Sequence, residues 1–289
     1  SGHLRCPEGR PTLRPAGQGR SAGGCPTRAA RHRSLTISSM PTARSPGRLI
    51  PNRIADGPTQ MAIDALLLAQ ATEAAVLRFY RWDGPWLSLG RHQRHWPQHW
   101  EQLAREGHLR MVRRPSGGQA VLHAGGLTYA LIWPSAPRRR KQAYREACQW
   151  LIDGFTQLGL PLQFGDDPAL GSGNNCFASS TAADLVDRAG VKRIGSAQCW
   201  QHGRLLQHGE ILLDPPPTLW RAVFGEAAPP AAAADLNRLT LEQQLINAMA
   251  MAWPDVVWEE VPLSDDERAQ VEARSRSDCS EFTGIDATI

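Results

Sequence analysis

The chain has 289 residues, of which 42% are hydrophobic, so it is long and apolar enough to bury a substantial core. It has no apolar run of the roughly 18 residues that cross a bilayer, and no apolar segment follows its basic beginning. Six cysteines without a CxxC pair argue against a zinc site and a disulfide framework. The composition therefore predicts a globular cytoplasmic protein that neither spans a membrane nor holds a metal ion.

The formal charge of +4 is divided unequally along the chain. Residues 1–48 hold nine arginines and one acid, whereas residues 49–289 hold 23 lysines and arginines against 27 acids. Residues 1–47 are rich in Arg, Gly, Pro and Ser without apolar periodicity, which predicts a disordered basic segment.

Three interpretations of this basic segment compete. It could be a nucleic-acid-binding arm, a plastid or mitochondrial transit peptide, or sequence upstream of a start at Met40. The last is favoured because the chain lacks an initial Met and folded-looking sequence follows Met40 directly. The mildly acidic remainder does not interleave basic and aromatic residues on one surface, so no nucleic-acid partner is expected.

The first half of the remaining sequence alternates between helical and strand patterns. Thr59 is expected to cap a helix that carries MAIDALLLAQA. VLRFYRW and WLSLG predict strands separated by Asp83-Gly84-Pro85, and HWEQLAREG predicts a short helix. AVLH and LTYALIWP predict a hairpin closed at Ala124-Gly125-Gly126.

The second half contains the clearest helix, predicted over residues 138–159, where apolar side chains recur at helical spacing from Tyr144. Cys148 lies on this stripe, which indicates a core thiol, and Cys199 on a later strand is also expected to be packed. PLQF, ADLV, KRIGSAQCWQ and RLLQHGEILLD predict strands, the last two joined at His202-Gly203. Helices are predicted in TLWRAVFG, LEQQLINAMAMAWP and SDDERAQVEARS.

These elements predict an α+β fold with a mixed, mainly antiparallel sheet flanked by helices, because strands and helices do not alternate regularly. We expect a catalytic domain over residues 48–262 and a C-terminal helix and tail over residues 263–289.

One glycine motif, RRPSGGQAVLH at residues 113–123, contains more turn chemistry than a simple turn requires. Gly117 and Gly118 let the backbone approach a ligand closely, and Ser116 adds a hydroxyl that could hold an oxygen. Arg113 and Arg114 could meet a phosphate, a carboxylate or an acidic protein. A tight turn with solvated arginines explains the spacing equally well.

A second cluster combines a cysteine with a lysine. Cys176 lies in NNCFASSTAADL among small and polar residues, which suits an accessible thiol. Lys192 opens the strand KRIGSAQCWQ, and a nearby ammonium group would lower the pKa of a thiol and make it a usable nucleophile. Gly195 follows on the same strand, where a small residue would admit substrate. An unimportant loop cysteine and an ordinary strand-end lysine are the simpler alternatives.

The motifs RRPSGGQAVLH, CFASSTAADL, VKRIGSAQ and LLQHGEILLD, in this order, resemble the superfamily of lipoate-protein ligase A and octanoyltransferases, whose fold is related to that of biotin protein ligases. GRLIPNRIADGPTQMAIDALLL and LRFYRWDGPWLSLGRHQ are also similar to the opening helix and strands of that superfamily. The resemblance covers about residues 48–260.

The resemblance implies a role for each matching residue. Lys192 matches the lysine that meets the acyl carbonyl, and Cys176 matches the nucleophile of the cysteine-dependent octanoyltransferases of the LipM and LipL type. Asp184 matches an acidic position that follows this nucleophile. The residues expected to line the acyl pocket are Arg113, Arg114, Ser116, Gly117, Gly118 and His123, with His208 as a further candidate.

The activity implied is transfer of an octanoyl or similar medium-chain acyl group from acyl carrier protein, through a cysteine thioester, to a lysine of a lipoyl domain. The acceptor would be a protein such as the glycine cleavage H protein or a 2-oxoacid dehydrogenase E2. This transferase would need no cofactor. Two alternatives stay open: an ATP- and Mg-dependent lipoate or octanoate ligase, and an inactive paralogue that binds an acyl group or a lipoyl domain.

The sequence departs from the superfamily pattern at the pocket. Ala124 follows His123 where relatives often have Asp, and Glu210 follows LQHG where they tend to have Ser. Pro115 and Gln119 are also less usual. These departures concern the choice of acyl group and acceptor more than the type of reaction.

Overall fold

The computed structural model describes residues 44–165, 184–232, 236 and 238–278. The helices are α1 (Gly57–Gln70), α2 (Gln98–Arg105), α3 (Arg140–Gln157), α4 (Pro217–Phe224), α5 (Arg238–Ala252) and α6 (Asp265–Asp278). The strands are β1 (Ser45–Ala55), β2 (Ala75–Trp82), β3 (Trp86–Leu89), β4 (Arg110–Arg113), β5 (Val121–His123), β6 (Leu127–Trp133), β7 (Gln163–Phe164), β8 (Leu185–Val186), β9 (Lys192–Gln201), β10 (Arg204–Ile211) and β11 (Val256–Glu260).

Two sheets organise these elements. Eight strands form a mixed sheet in the order β11-β1-β2-β6-β10-β9-β8-β7, which is antiparallel except where β1 pairs with β2 and β11. Three short strands form a second sheet in the order β4-β3-β5. The predicted α+β fold with a mainly antiparallel sheet is therefore confirmed.

Helices cover both faces of the large sheet because its central strands bury side chains on both sides. In β2, Leu77 and Phe79 pack toward α3 and α5, whereas Val76 and Tyr80 pack toward α1. This alternation has the two-residue period of a strand. Val271 of α6 packs in the same cluster as α1, and a third cluster fills the space between the small sheet, α2 and α4.

Several predicted elements are confirmed, including the helix over α3 and the hairpin of β9 and β10. At the turn of this hairpin His202 and Gly203 have φ angles of 49° and 82°, the conformation that a two-residue hairpin turn requires. Cys148 is completely buried in α3, as predicted, and burial raises the pKa of its thiol to about 12.

The predicted hairpin of AVLH and LTYALIWP is wrong. Strand β5 pairs with β3 in the small sheet, whereas β6 lies between β2 and β10 in the large one. The chain instead passes from one sheet to the other at Gly125, which has φ +78° and is packed directly against the backbone of Asp214. A residue with a side chain would clash there, so the glycine pair marks a change of sheet.

Two further differences concern the ends of elements. The N-cap of α1 is Asp56, whose carboxylate accepts a hydrogen bond from the Thr59 backbone N–H, so Thr59 is not the cap. Strands β1 and β11, which lie side by side at one edge of the large sheet, were not indicated by the sequence pattern, since both carry many exposed residues. Among the described residues, no helix is both long and apolar enough to cross a membrane.

Candidate active site

A cavity lies between the two sheets, bounded by α1, by strands β2, β3, β5, β6, β9 and β10, and by the glycine loop after β4. It contains about 460 Å³ of empty space, part of it open to solvent. The structure brings six of the predicted site residues to its wall: Arg114, Gly117, Gly118, His123, Gly195 and His208.

One wall of the cavity holds a buried chain of polar groups centred on Glu210. The Nδ1 of His123 lies 2.7 Å from the Glu210 carboxylate, and the Oγ of Ser88 lies 2.8 Å from Nε2 of the same ring. Thr128 also donates to this carboxylate, and Trp82 donates to Thr128 Oγ1. The indole of Trp82 stacks on the His123 imidazole with the ring centroids 4.1 Å apart. Glu210 thus fixes the positions of two rings in the cavity wall.

The buried position of His123 controls its protonation. Burial is the main cause that lowers the pKa of His123, although the neighbouring Glu210 acts in the opposite direction. The imidazole is therefore neutral near pH 7, with Nδ1–H donating to Glu210 and Nε2 accepting from the Ser88 hydroxyl. A neutral ring with a defined tautomer contributes no positive charge of its own to the cavity wall.

A second buried chain of polar groups connects the glycine loop with the core. The Oγ of Ser116 lies 2.5 Å from Nε2 of His208, whose Nδ1 lies 2.8 Å from Asp64. The other Asp64 oxygen accepts from Arg78 at 3.1 Å, and both side chains of this ion pair are at most 1% exposed. Tyr80 donates to Asp64 as well, and its pKa is raised by burial and by this carboxylate. The loop is therefore attached to α1, β2 and β10.

The two arginines of the glycine motif hold backbone carbonyl groups. Arg114 is buried and donates to the carbonyls of Ser88 and Gly117, while half-buried Arg113 donates to those of Gly90 and Gln93. An arginine offers five donors in a planar fork, which suits this bridging of separate segments. These contacts fix the glycine loop and the segment after β3, and a direct role of either arginine in binding stays a prediction.

Lys192, the first residue of β9, forms a buried ion pair with Asp184. The Lys192 ammonium lies 2.9 Å from the Asp184 carboxylate, and the side chains are 5% and 6% exposed. Lys192 is the first residue of β9, and Gly195, Ser196 and Ala197 of the same strand line the cavity. The structure thus places a fixed ammonium group on the strand that forms one wall of the cavity.

Two cysteines, Cys176 and Cys199, lie near Lys192 in the sequence. Cys176 lies outside the described residues, so its relation to Lys192 is not defined by the structure. Cys199 is half-buried on β9, and burial raises the pKa of its thiol despite the nearby Arg91. A raised pKa makes a thiol a weak nucleophile near pH 7, as expected for a packed residue.

The glycine loop is in tight contact with Gly90, which gives a testable prediction. A Cβ at Gly90 would overlap the carbonyl oxygen of Gly118, whereas a Cβ at Gly117 would meet no atom within 4 Å. We expect Gly90→Ala to lower the free energy of unfolding by about 1–3 kcal/mol in denaturant titrations, because backbone has to move. Gly117→Ala is the matched control, and equal losses in both variants would contradict the contact.

The comparison with known proteins identifies the family. The model of the lipoyl protein ligase A/B catalytic domain matches residues 56–236, which include the whole cavity wall and the Lys192–Asp184 pair. The chain belongs to this family. The resemblance found in the sequence motifs is thereby confirmed, and the cavity lies in the catalytic domain of a lipoyl protein ligase A/B member.

Two relatives with curated names are octanoyltransferases. The chain is 34% identical over 216 residues to octanoyltransferase LipM of Kyrpidia tusciae, covering 70% of this chain and 77% of that protein. It is 35% identical over 182 residues to octanoyltransferase LipM of Bacillus subtilis, covering 58% of this chain and 65% of that protein. The match to the second relative therefore spans slightly less than two thirds of its length.

The fold is that of solved lipoate protein ligases. A chain from the structure of a bi-partite lipoate protein ligase and its E2 lipoyl domain from Thermoplasma acidophilum superposes with a TM-score of 0.65. The match covers 85% of this chain and 99% of that one at 16% identity. Identity at this level shows the shared fold alone.

The sequence pattern did not indicate several polar residues in and behind the cavity wall. Ser88, Trp82, Thr128 and Tyr80 line the cavity, and Asp64 binds Tyr80 behind it. A signal for some of them was present. Asp64 interrupts the apolar helix MAIDALLLAQA, and Arg78 interrupts the apolar strand VLRFYRW. A charged residue in an otherwise buried stripe is rare unless it is paired, so these two positions pointed to each other.

Proposed function

We propose that the chain transfers an octanoyl or similar medium-chain acyl group from acyl carrier protein to a lysine of a lipoyl domain. The observation that carries this proposal is the similarity to octanoyltransferase LipM over 70% of the chain, together with a family match that includes the cavity wall. The apolar part of the cavity wall, which includes Met61 and Val121, suits a hydrocarbon chain. Acyl transfer in protein lipoylation is therefore the function that the family and the site support together.

The first half of the reaction forms an acyl-enzyme. The Cys176 thiolate attacks the carbonyl carbon of the acyl thioester, and negative charge develops on the carbonyl oxygen. Lys192, held by Asp184 at 2.9 Å, supplies a positive charge that stabilises this oxygen and favours the thiolate. The intermediate collapses with cleavage of the bond to the carrier sulfur, which leaves as a thiolate and takes up a proton from the solvent.

The second half passes the acyl group to the acceptor. A neutral lysine ε-amine of the lipoyl domain attacks the Cys176 thioester, and an amide bond forms as the C–S bond breaks. The amine loses one proton to solvent and Cys176 is released as the thiolate. Because one covalent intermediate connects the two halves, ping-pong kinetics are expected, and neither half consumes ATP.

The intact mass of the full-length protein tests this proposal. We expect one octanoyl adduct after mixing with octanoyl-acyl carrier protein in the absence of ATP, labile to hydroxylamine and absent from Cys176→Ser. Cys199→Ser is the matched control and keeps the adduct, since Cys199 has a raised pKa. An adduct that persists in Cys176→Ser would place the nucleophile elsewhere.

The same experiment separates the alternatives. No adduct without ATP, but acylation of a lipoyl domain once ATP, Mg²⁺ and free octanoate are supplied, would identify a ligase that works through an acyl adenylate. Tight binding of the acyl group or of the lipoyl domain without turnover under either condition would identify a binding protein.

A further inference from the structure

Two basic surface segments lie on either side of β9, the strand whose residues Gly195–Ala197 line the cavity. The first is the loop after β3, with Arg91 and Arg94 exposed together with His92 and His95. The second is the beginning of α3, where Arg138–Lys141 are four consecutive exposed basic residues. We call Arg91, Arg94 and residues 138–141 the basic rim.

The loop of the basic rim is fixed against the glycine loop, which lines the cavity. The Arg91 backbone N–H donates to the carbonyl of Ser116 at 2.8 Å, and Gly90 is in close contact with Gly118, which lines the cavity. Half-buried Arg113 donates to the carbonyls of Gly90 and Gln93, each at 2.9 Å, and so holds both ends of this turn. Arg113 therefore acts behind the surface, and the loop presents its exposed arginines in a defined place.

The helical part of the basic rim lies near the same strand. The Arg140 guanidinium lies 6.0 Å from the ring centroid of Trp200, a β9 residue. The neighbouring Cys199 lies beside Arg91, whose positive charge and hydrogen bond act to lower the pKa of the Cys199 thiol. Cys199 and Trp200 are adjacent in β9, so their side chains lie on opposite faces of the sheet, and Arg91 and Arg140 therefore lie on either side of this strand. Gly195–Ala197 of the same strand line the cavity.

The charge of the basic rim contrasts with that of the remaining protein. No acid occurs in residues 90–100 or 134–145, although residues 49–289 as a whole carry 27 acids against 23 lysines and arginines. Four of the basic residues lie at the N-terminus of α3, which has no acid in its first turn and no side-chain cap. Positive charge at a helix N-terminus opposes the helix dipole, so this placement does not serve the helix itself.

We propose that the basic rim is the docking surface for the acidic acyl carrier protein that delivers the acyl group. This inference rests on the proposed function. An acidic carrier matches the sign of the rim, and complementary charge increases the rate and fidelity of docking. The carrier also bears its acyl group on a phosphopantetheine arm, whose phosphodiester is a good partner for arginine. The acceptor lysine brings no such phosphate, which favours the donor as the occupant.

The test compares two double variants with a matched control. Arg91→Glu/Arg94→Glu reverses the loop, and Arg139→Glu/Arg140→Glu reverses the helix start. The control is Arg53→Glu/Arg276→Glu, which makes the same charge change at two exposed arginines of β1 and α6. The rate of Cys176 acylation is measured with octanoyl-acyl carrier protein and with octanoyl-N-acetylcysteamine, an uncharged donor without a carrier.

We expect each rim variant to lower kcat/KM for the carrier donor by about 10–100-fold, with the uncharged donor and the control changed by less than about twofold. Raising the salt concentration should reduce the advantage of the unaltered protein for the carrier donor, because exposed charges are screened. Binding of fluorescent unacylated holo-carrier by anisotropy measures the same surface without chemistry and should weaken in parallel.

Three results would overturn the proposal. Equal losses with both donors would show that the rim variants damage the site, and loss confined to transfer from the acyl-enzyme to the lipoyl domain would assign the rim to the acceptor. Unchanged carrier binding and acylation would exclude docking there. If the unaltered protein forms no adduct from either donor, the proposed function fails, and carrier binding by the rim variants still decides the docking proposal.

Discussion

Replacing Lys192 by alanine is expected to lower the rate of Cys176 acylation by about 10²–10³-fold, the usual effect of removing a group that stabilises a developing oxyanion. The Lys192 ammonium is 5% exposed and lies 2.9 Å from Asp184, so it is held in one position before substrate arrives. A charge fixed in a buried site stabilises a transition state without reorganisation. Single-turnover mass spectrometry with octanoyl-acyl carrier protein measures the loss.

The same substitution breaks a buried ion pair, so stability must be separated from catalysis. Lys192→Ala leaves the Asp184 carboxylate buried without the lysine, which is expected to cost about 3–5 kcal/mol of unfolding free energy. Lys192→Ala/Asp184→Asn removes both charges and should recover part of that stability but none of the rate. Recovery of the rate in this double variant would show that Lys192 has only a structural role.

A further distinction comes from the reactivity of the thiol itself. If the ammonium favours the thiolate, Cys176 of the unaltered protein should react with iodoacetamide at lower pH than Cys176 of Lys192→Ala. A purely structural effect would not shift this pH profile in the fraction that remains folded.

Replacing Asp64 by alanine is expected to lower the free energy of unfolding by about 3–5 kcal/mol, because the Arg78 guanidinium would remain buried without its carboxylate. Asp64 is completely buried and binds Arg78, Tyr80 and His208 from two strands. Since total stability is typically about 5–15 kcal/mol, the variant should be close to unfolding at ambient temperature. Urea titration measures the change.

Two control variants assign this loss to the ion pair. Tyr80→Phe removes a single hydrogen bond to Asp64 and should cost only about 1 kcal/mol. Glu146→Gln neutralises an exposed carboxylate of α3 and should change stability by less than about 0.5 kcal/mol. A loss in Asp64→Ala no larger than that in Tyr80→Phe would contradict the buried pair.

The connection of Asp64 to the glycine loop predicts a second effect of the same variant. Asp64 holds His208, and His208 Nε2 lies 2.5 Å from the Oγ of Ser116, directly before Gly117 and Gly118. Loss of this support should raise KM for the acyl donor more than it lowers kcat, because the loop forms part of the cavity wall and not the reacting groups.

Local sequence predicted the elements that carry strong periodic patterns. Helix α3 and the hairpin of β9 and β10 were recognised from apolar spacing and from His202-Gly203, because these signals lie within neighbouring residues. The crossing between the two sheets at Gly125 was predicted to be a hairpin turn. Only the strands with which β5 and β6 pair distinguish a crossing from a hairpin. The strand β1 was missed because its exposed residues give no regular pattern.

The sequence by itself determined the fold class, the glycine loop, the cysteine and lysine expected to carry the chemistry, and the family, because each depends on residue types in a fixed order. Only the tertiary structure decided which side chains surround the cavity. Ser116 meets His208 across 92 residues and His123 meets Glu210 across 87, and such contacts leave no local pattern. The tertiary structure also showed that Arg113 and Arg114 donate to backbone carbonyls, because several carbonyl oxygens surround their guanidinium groups. The exposed arginines of the loop after β3 belong to the basic rim instead.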